Sequence, residues 1–199
     1  MPAFERGMSL HEAEIDAITS NNDEPTFENT ILAYDNAGQM LAQTELIFGM
    51  LCAAETNERM QALQEQVMPL LSAHRDKIRL DEKLFARVKD VYDRRASLGL
   101  DAEQSRLLRK TYDAFVRSGA LLDAGQKARL KEINGELSLT AVKFGNNILA
   151  ENNNFALELT ADDLEGLPSG VRDAAREKAQ AMGKGDKWVF TLHKPSLIP

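Results

Sequence analysis

Cysteine, aromatic residues and long apolar runs are scarce in this 199-residue sequence, which has one cysteine and 6% aromatic residues. The single Cys52 excludes an internal disulfide framework. Its neighbours Leu51 and Ala53 are apolar and no base lies beside it, so we predict a buried, unreactive thiol. No apolar run approaches the roughly 20 residues of a membrane-spanning helix, and no membrane partner is predicted. The remaining composition, 43% hydrophobic and 28% charged, is typical of a soluble globular protein.

An excess of basic charge is also missing, because the formal net charge is −7. Nucleic acids are bound by concentrated basic surfaces that replace counterions along the phosphate backbone. The sequence contains no such stripe, so no nucleic-acid partner is predicted. Residues 75–110 are locally basic, but acidic residues are interspersed among the basic ones. That pattern is typical of a solvated helix face.

Recognisable catalytic motifs are absent from the sequence. It has no glycine-rich phosphate loop and no Gly-x-Ser-x-Gly motif. The nearest metal motif is His-Glu-Ala-Glu-Ile, which begins at His11 and has Ile15 where a zinc peptidase requires its second histidine. The other histidines, His74 and His193, lie in separate segments, and a zinc site built on all three is a remote alternative. We therefore predict no catalytic and no metal-binding residue, and substrate-binding residues cannot be assigned.

Helical periodicity dominates the sequence up to about residue 152. Residues that cap helices, such as Asp81 and the capping-box pair Asp101 and Gln104, mark several of the predicted starts. Pro69 falls inside a continuing pattern and is predicted to kink its helix without ending it. The predicted helices span residues 2–19, 27–54, 57–78, 81–98, 101–119 and 123–152.

The pattern changes to the alternation of β-strands after residue 152. Residues 155–160 and 188–192 are predicted strands, separated by a turn at 162–167 and a helix at 169–182. Parallel pairing through a right-handed crossover is predicted for them. The fold class is therefore mainly α: an antiparallel bundle of long helices with a small two-stranded β and short-helix subdomain. We predict two domains, 1–152 and 153–199, with the last residues forming a connection into a further region.

The heptapeptide Pro-Thr-Phe-Glu-Asn-Thr-Ile at 25–31 is the most informative stretch of the chain. Physically it predicts a helix start, with Thr26 as the cap and Glu28 where the helix dipole favours negative charge. This sequence motif resembles one in the N-terminal region of the thimet-oligopeptidase family of zinc peptidases. Further stretches resemble the same family in the same order: 2–7, 85–92, 107–120, 128–147 and 188–196. The sequences at 115–120 and 144–147 resemble the bacterial peptidyl-dipeptidases (dipeptidyl carboxypeptidases) more than oligopeptidase A.

The resemblance implies a larger, almost all-helical zinc peptidase that cuts short peptides in a deep channel and releases dipeptides from their C-termini. Zinc, its ligands and the general base belong to the catalytic domain of the same polypeptide, downstream of this region. The resemblance implies that this region forms the wall and cover of the channel. Alone, the region is expected to be inactive and to hold no zinc. A stand-alone helical adaptor or scaffold is the alternative. The single cysteine fits the cytoplasm; the periplasm stays open because a leader peptide would precede this sequence.

Overall fold

A computed structural model describes residues 1–193 of the chain, which divides into two compact units, Met1–Val142 and Lys143–Pro199. The predicted mainly-α fold with a small two-stranded sheet is confirmed. The α-helices are α1 Pro2–Thr19, α2 Ala33–Asn36, α3 Gln39–Ala54, α4 Glu58–Arg79, α5 Glu82–Asp93, α6 Ala102–Arg117, α7 Ala124–Asn154 and α8 Ser169–Ala181. The strands are β1 Leu157–Leu159 and β2 Trp188–Phe190. A π-helix at Phe27–Leu32 precedes α2, and 3-10 helices lie at Arg95–Ser97 and Ala161–Leu164.

Side-chain caps determine where most helices of the first unit begin. Asp101 accepts a hydrogen bond from the Gln104 amide at 2.8 Å, and the Gln104 side chain accepts one from the Asp101 amide at 3.1 Å. Each such bond satisfies a backbone N–H that has no partner within the helix. The starts predicted near residues 57, 81, 101 and 123 are therefore confirmed. The capping side chains are those of Thr26, Asn57, Asp81, Asp101 and Asp123.

The single helix predicted over residues 27–54 is wrong, because the chain is interrupted at Ala37 and Gly38. Ala37 is extended, with ψ 153°, and Gly38 is left-handed, with φ 75°. A Cβ on Gly38 would lie 2.8 Å from the His11 ring, so both the backbone conformation and the space require glycine. The interruption makes α3 a separate helix, which packs against α1. By contrast, α4 continues through Pro69 as predicted; the kink itself stays a prediction.

The first unit has two apolar clusters of buried side chains. In the larger cluster, the Phe115 ring is 1% exposed, and its centroid lies 5.3 Å from that of Tyr34 and 6.0 Å from that of Phe85. These three rings join α2, α5 and α6. In the smaller cluster, Phe4 of α1 and Phe48 of α3 meet edge to face, with centroids 5.3 Å apart. The packing of these rings fixes the arrangement of the helices around the grooves described below.

Arg87 of α5 and Arg94, which directly follows α5, hold the loop that leads into the π-helix. Arg87 Nη1 donates to the carbonyl oxygens of Asn21 at 2.7 Å and Asp23 at 3.2 Å. Its Nη2 donates to Asn29 Oδ1 at 3.2 Å. Arg94 Nη1 donates to Glu24 Oε1 at 2.6 Å. The loop is thus tied to α5 by charge-assisted hydrogen bonds, which explains how its backbone carbonyls are satisfied.

The sheet of the second unit is antiparallel, so the predicted parallel pairing is wrong. Leu157 pairs with Phe190, and Leu159 pairs with Trp188. The prediction assumed a turn and one helix between the strands. The connection instead contains two helical elements, because residues Ala161–Leu164 form a 3-10 helix with Leu164 buried.

Small side chains of α8 pack close to β2 in the second unit. Ala175, Ala179 and Val189 are buried there. The guanidinium of Arg176 lies 5.3 Å from the centroid of the ring of Trp188, the single tryptophan of the chain. These contacts stabilise a sheet that would be marginal alone. The connection predicted for the last residues, 194–199, lies outside the described residues, and the domain boundary at 152 stays a prediction.

Candidate functional site

A groove of about 540 Å³ in the first unit is the best candidate for a functional site. It combines an apolar floor with ionisable side chains, which is typical of ligand sites. His11 of α1 and His74 of α4 lie on its wall. Glu45 of α3 and Arg75 of α4, which also line the groove, form an ion pair. The other lining residues are Tyr34, Ala37, Gly38, Leu41, Ala42, Leu46, Ile78 and Arg79.

The two histidines are in direct contact. His74 Nε2 lies 3.1 Å from His11 Nδ1, and the ring centroids are 5.1 Å apart. His74 is 5% exposed and His11 is partly buried. Gly38 provides the space for the His11 ring, since a Cβ there would overlap it. One nitrogen of the contact must donate and the other must accept, so the contact is lost if both rings are protonated.

Carboxylates and a lysine surround the histidine pair. Glu12 Oε1 lies 3.4 Å from His74 Nδ1, a distance at which it acts mainly as a nearby charge. Lys77 lies 2.9 Å from the other Glu12 oxygen, and this hydrogen bond lowers the pKa of Glu12. Glu14 accepts a hydrogen bond from the Gly38 amide at 2.7 Å, which ties α1 to the interruption before α3.

Burial lowers the pKa of both histidines below their ordinary value. For His11, the proximity of His74 lowers the pKa further, while Glu14, Glu12 and Glu45 raise it. For His74, Glu12 and Glu45 raise the pKa and Lys77 lowers it, but burial has the largest effect. The pair is therefore held with fewer protons than two exposed histidines would carry.

The arrangement suits a hydrogen-bonded link between α1 and α4 better than a reaction centre. The groove lining includes no serine or cysteine that could act as a nucleophile. In residues 1–193, no three His, Cys, Asp or Glu side chains are grouped so that they could hold a metal ion. His193 belongs to the second unit, so the three-histidine hypothesis gains no support. The contact of His11 with His74 was missed, although His74 follows the buried spacing of Val67, Leu71 and Ile78.

We expect the free energy of unfolding of the first unit to fall as the pH falls from about 7.5 to about 5.5. In the folded state, the pKa values of His11 and His74 lie below the ordinary 6.5. As the pH falls, the histidines of the unfolded chain therefore become protonated before those of the folded chain. This uptake of protons stabilises the unfolded state relative to the folded state. The contribution of the histidine pair to stability is fully present well above pH 6.5, the ordinary pKa, and is lost as the pH falls through the lower folded-state pKa values. Urea denaturation followed by circular dichroism measures it.

The matched control uses the third histidine. A His11→Gln/His74→Gln double variant should show a flatter dependence of stability on pH, whereas His193→Gln should keep the dependence of the wild type. The same slope in all three proteins would show that the histidine pair does not cause the effect.

Cys52 is partly exposed rather than fully buried. Burial raises the pKa of its thiol, so it stays protonated near neutral pH. The prediction of an unreactive side chain is consistent with this environment. Over residues 1–193, no helix combines the length and the apolar character that crossing a bilayer requires.

The sequence of the chain is similar to the sequences of known peptidases. No family model matches the chain. It is 38% identical over 192 residues to a dipeptidyl carboxypeptidase of Escherichia coli (strain K12), and 37% identical over 194 residues to one of Salmonella typhimurium. Both alignments cover 96% of this chain and 28% of the relative. A thimet-like oligopeptidase of Dictyostelium discoideum is 23% identical over 100% of the chain and 28% of its own length. The predicted resemblance is confirmed, and the chain spans about 28% of the length of these curated relatives.

Proposed function

We propose that this chain is the N-terminal, non-catalytic part of a zinc-dependent peptidyl-dipeptidase that hydrolyses short peptides and releases C-terminal dipeptides. One observation carries the proposal: the similarity to two dipeptidyl carboxypeptidases extends over 96% of this chain but over only 28% of each relative. A chain that matches 28% of the length of its relatives corresponds to one region of a larger enzyme. The remaining part of the polypeptide is then the catalytic domain and the principal partner of this chain.

Exposed apolar side chains support docking against that partner. On α3, Leu46, Ile47 and Met50 are 65%, 60% and 63% exposed, and Leu51 beside them is 51% exposed. These four residues, which we call the α3 apolar face, lie opposite the buried Leu41 and Phe48 of the same helix. A patch of large apolar side chains on a folded protein is typical of an interaction surface. The same feature would serve an adaptor, which is the second candidate.

Other apolar side chains are exposed on α7. In the first unit, α7 exposes Ile133 and Leu137, and in the second unit it exposes Phe144 and Ile148. No α7 side chain is buried, although the helix spans 31 residues. In solution a helix this long gains its stability mainly by packing an apolar face against another element. We infer that the partner region covers α7 as well.

Zinc belongs elsewhere in this proposal. The residues at 11–15 do not provide two histidines one turn apart, and no suitable ligand group is present in the described part of the chain. When bound in the catalytic domain, zinc would activate water for hydrolysis. The proposed contribution of this chain is the wall and cover of the channel. Such a cover excludes folded polypeptides and helps to keep bulk water from the site.

We expect the 199-residue chain alone to take up no stoichiometric zinc and to release no dipeptide from an N-blocked tetrapeptide. The longer polypeptide encoded with it should do both and should lose activity with a metal chelator. Metal analysis and chromatography of the peptide products measure these properties.

Two results would contradict the proposal. One is zinc uptake with peptide cleavage by the isolated chain. The other is a reading frame in the source gene that stops directly after Pro199, which would favour the adaptor. A continuing frame that encodes His-Glu-x-x-His would support the peptidase.

A further inference from the structure

A second groove, of about 590 Å³, lies between the end of α5 and the start of α6 in the first unit. Three arginines, Arg95, Arg106 and Arg109, line it together with a single acidic residue, Glu103. We propose that this groove, which we call the arginine groove, binds a small polyanion of the oligophosphate class. This site is independent of the proposed peptidase function.

Four of the basic residues that precede the groove or lie beside it are neutralised by ion pairs within the fold. Arg75 pairs with Glu45, and Lys77 pairs with Glu12. On α5, Lys89 pairs with Asp93, and Arg94, just after α5, pairs with both Asp90 and Glu24. The interpretation of residues 75–110 as a solvated face with interspersed acids therefore suits these four residues.

The arginine groove differs from that pattern. Within residues 1–193, the side chains of Arg106 and Arg109 have no ion-pair partner, and both are exposed. They lie three residues apart on α6 and so project from the same side of the helix. Two guanidinium groups on the same side of a helix without a counter-charge repel each other, and an anion bound to both removes that cost.

Arg95 is held in place for such a contact. Its Nη1 donates to the Tyr92 carbonyl oxygen at 2.8 Å, and its guanidinium lies 4.3 Å from the centroid of the Tyr92 ring. The opposing ring of Tyr112 is nearly parallel to that of Tyr92, at 5° with centroids 3.9 Å apart. A preorganised charge loses less side-chain entropy when a ligand binds. The groove therefore presents one guanidinium group held by the fold, that of Arg95, and two exposed ones, those of Arg106 and Arg109.

The charges and the shape select the class of ligand. Three guanidinium groups and Glu103 leave an excess of positive charge, which a multiply charged anion matches best. Arginine binds phosphate oxygens through two parallel hydrogen bonds, and an oligophosphate offers several such oxygens in a short chain. The volume suits a small molecule, and the net charge of −7 opposes binding to a nucleic-acid polymer.

Inorganic tripolyphosphate is the probe, and isothermal titration calorimetry at low salt is the measurement. We expect saturable binding at one site and a loss of affinity of about tenfold or more in Arg106→Ala/Arg109→Ala. The matched control is Arg6→Ala/Arg59→Ala, which removes the same charge at exposed positions outside the groove. Its affinity should stay within about twofold of the wild type if the groove is specific. Circular dichroism verifies that all variants are folded.

Several outcomes would overturn the proposal. Absence of saturable binding at millimolar tripolyphosphate rules out the site. An equal loss in both double variants shows general attraction to net charge, and unchanged affinity in Arg106→Ala/Arg109→Ala places the ligand elsewhere. Tighter binding of citrate than of tripolyphosphate overturns the assignment to phosphates.

Discussion

Phe115→Ala is expected to lower the free energy of unfolding of the first unit by about 3–5 kcal/mol. The side chain is 1% exposed and contacts aromatic rings of two other helices. Its removal leaves a cavity among Tyr34, Phe85 and Leu108, which belong to the same buried cluster. The loss combines the transfer free energy of the ring with the cost of that cavity. Urea denaturation monitored by circular dichroism gives the value.

Two controls separate burial from ring chemistry. Phe144→Ala deletes the same atoms from a side chain that is 66% exposed, and should change the free energy of unfolding by less than about 0.5 kcal/mol. Phe115→Leu keeps most of the volume and should cost less than about 1.5 kcal/mol. Equal effects of the two Phe→Ala substitutions would contradict the packing described for the first unit.

Ile47→Asp/Met50→Asp in the longer polypeptide is expected to lower kcat/KM for short blocked peptides by about tenfold or more. The prediction rests on the proposed function, in which the catalytic domain covers the α3 apolar face. Two carboxylates buried without partners in that contact would cost several kcal/mol, and the domains would separate. Steady-state kinetics measures the loss, and increased cleavage between the domains by an added protease would report their separation.

The matched control places the same two charges on another helix. Ala62 and Gln66 are exposed on α4, one turn apart, so Ala62→Asp/Gln66→Asp changes the net charge equally. This variant should keep its activity within about twofold of the wild type. In the isolated chain, both double variants should remain folded, since all four positions are exposed. Equal activity of the two double variants would show that the α3 apolar face is not covered.

Helix starts were predictable from the sequence because their causes are local. A capping residue and its partner lie three positions apart, as Asp101 and Gln104 do, and the hydrogen bonds that define the start depend on little else. The first helix also covers its predicted range, Pro2–Thr19, although it begins with a proline in its first turn and has no side-chain cap. The mainly-α class followed from the sum of such local signals.

Features that depend on distant contacts were not predictable in this way. The space beside Gly38 at the interruption is limited by the His11 ring, which belongs to another helix. The partner of His11 in the groove, His74, is 63 residues away in the sequence, so spacing alone gives no sign of the pair. The antiparallel pairing of β1 and β2 joins two segments that are distant in the sequence. The 3-10 helix between them, Ala161–Leu164, has only four residues and lacks a periodic pattern long enough to detect.

The positions of the tryptophan and the tyrosines separate the optical signals of the two units. The only tryptophan, Trp188, lies in the second unit, whereas the three tyrosines, Tyr34, Tyr92 and Tyr112, lie in the first. Excitation at a wavelength that tryptophan absorbs and tyrosine does not therefore yields fluorescence from the second unit alone. Ultraviolet difference absorbance of the phenol rings is dominated by the first unit. A single sample can thus show whether the two units melt together or one after the other.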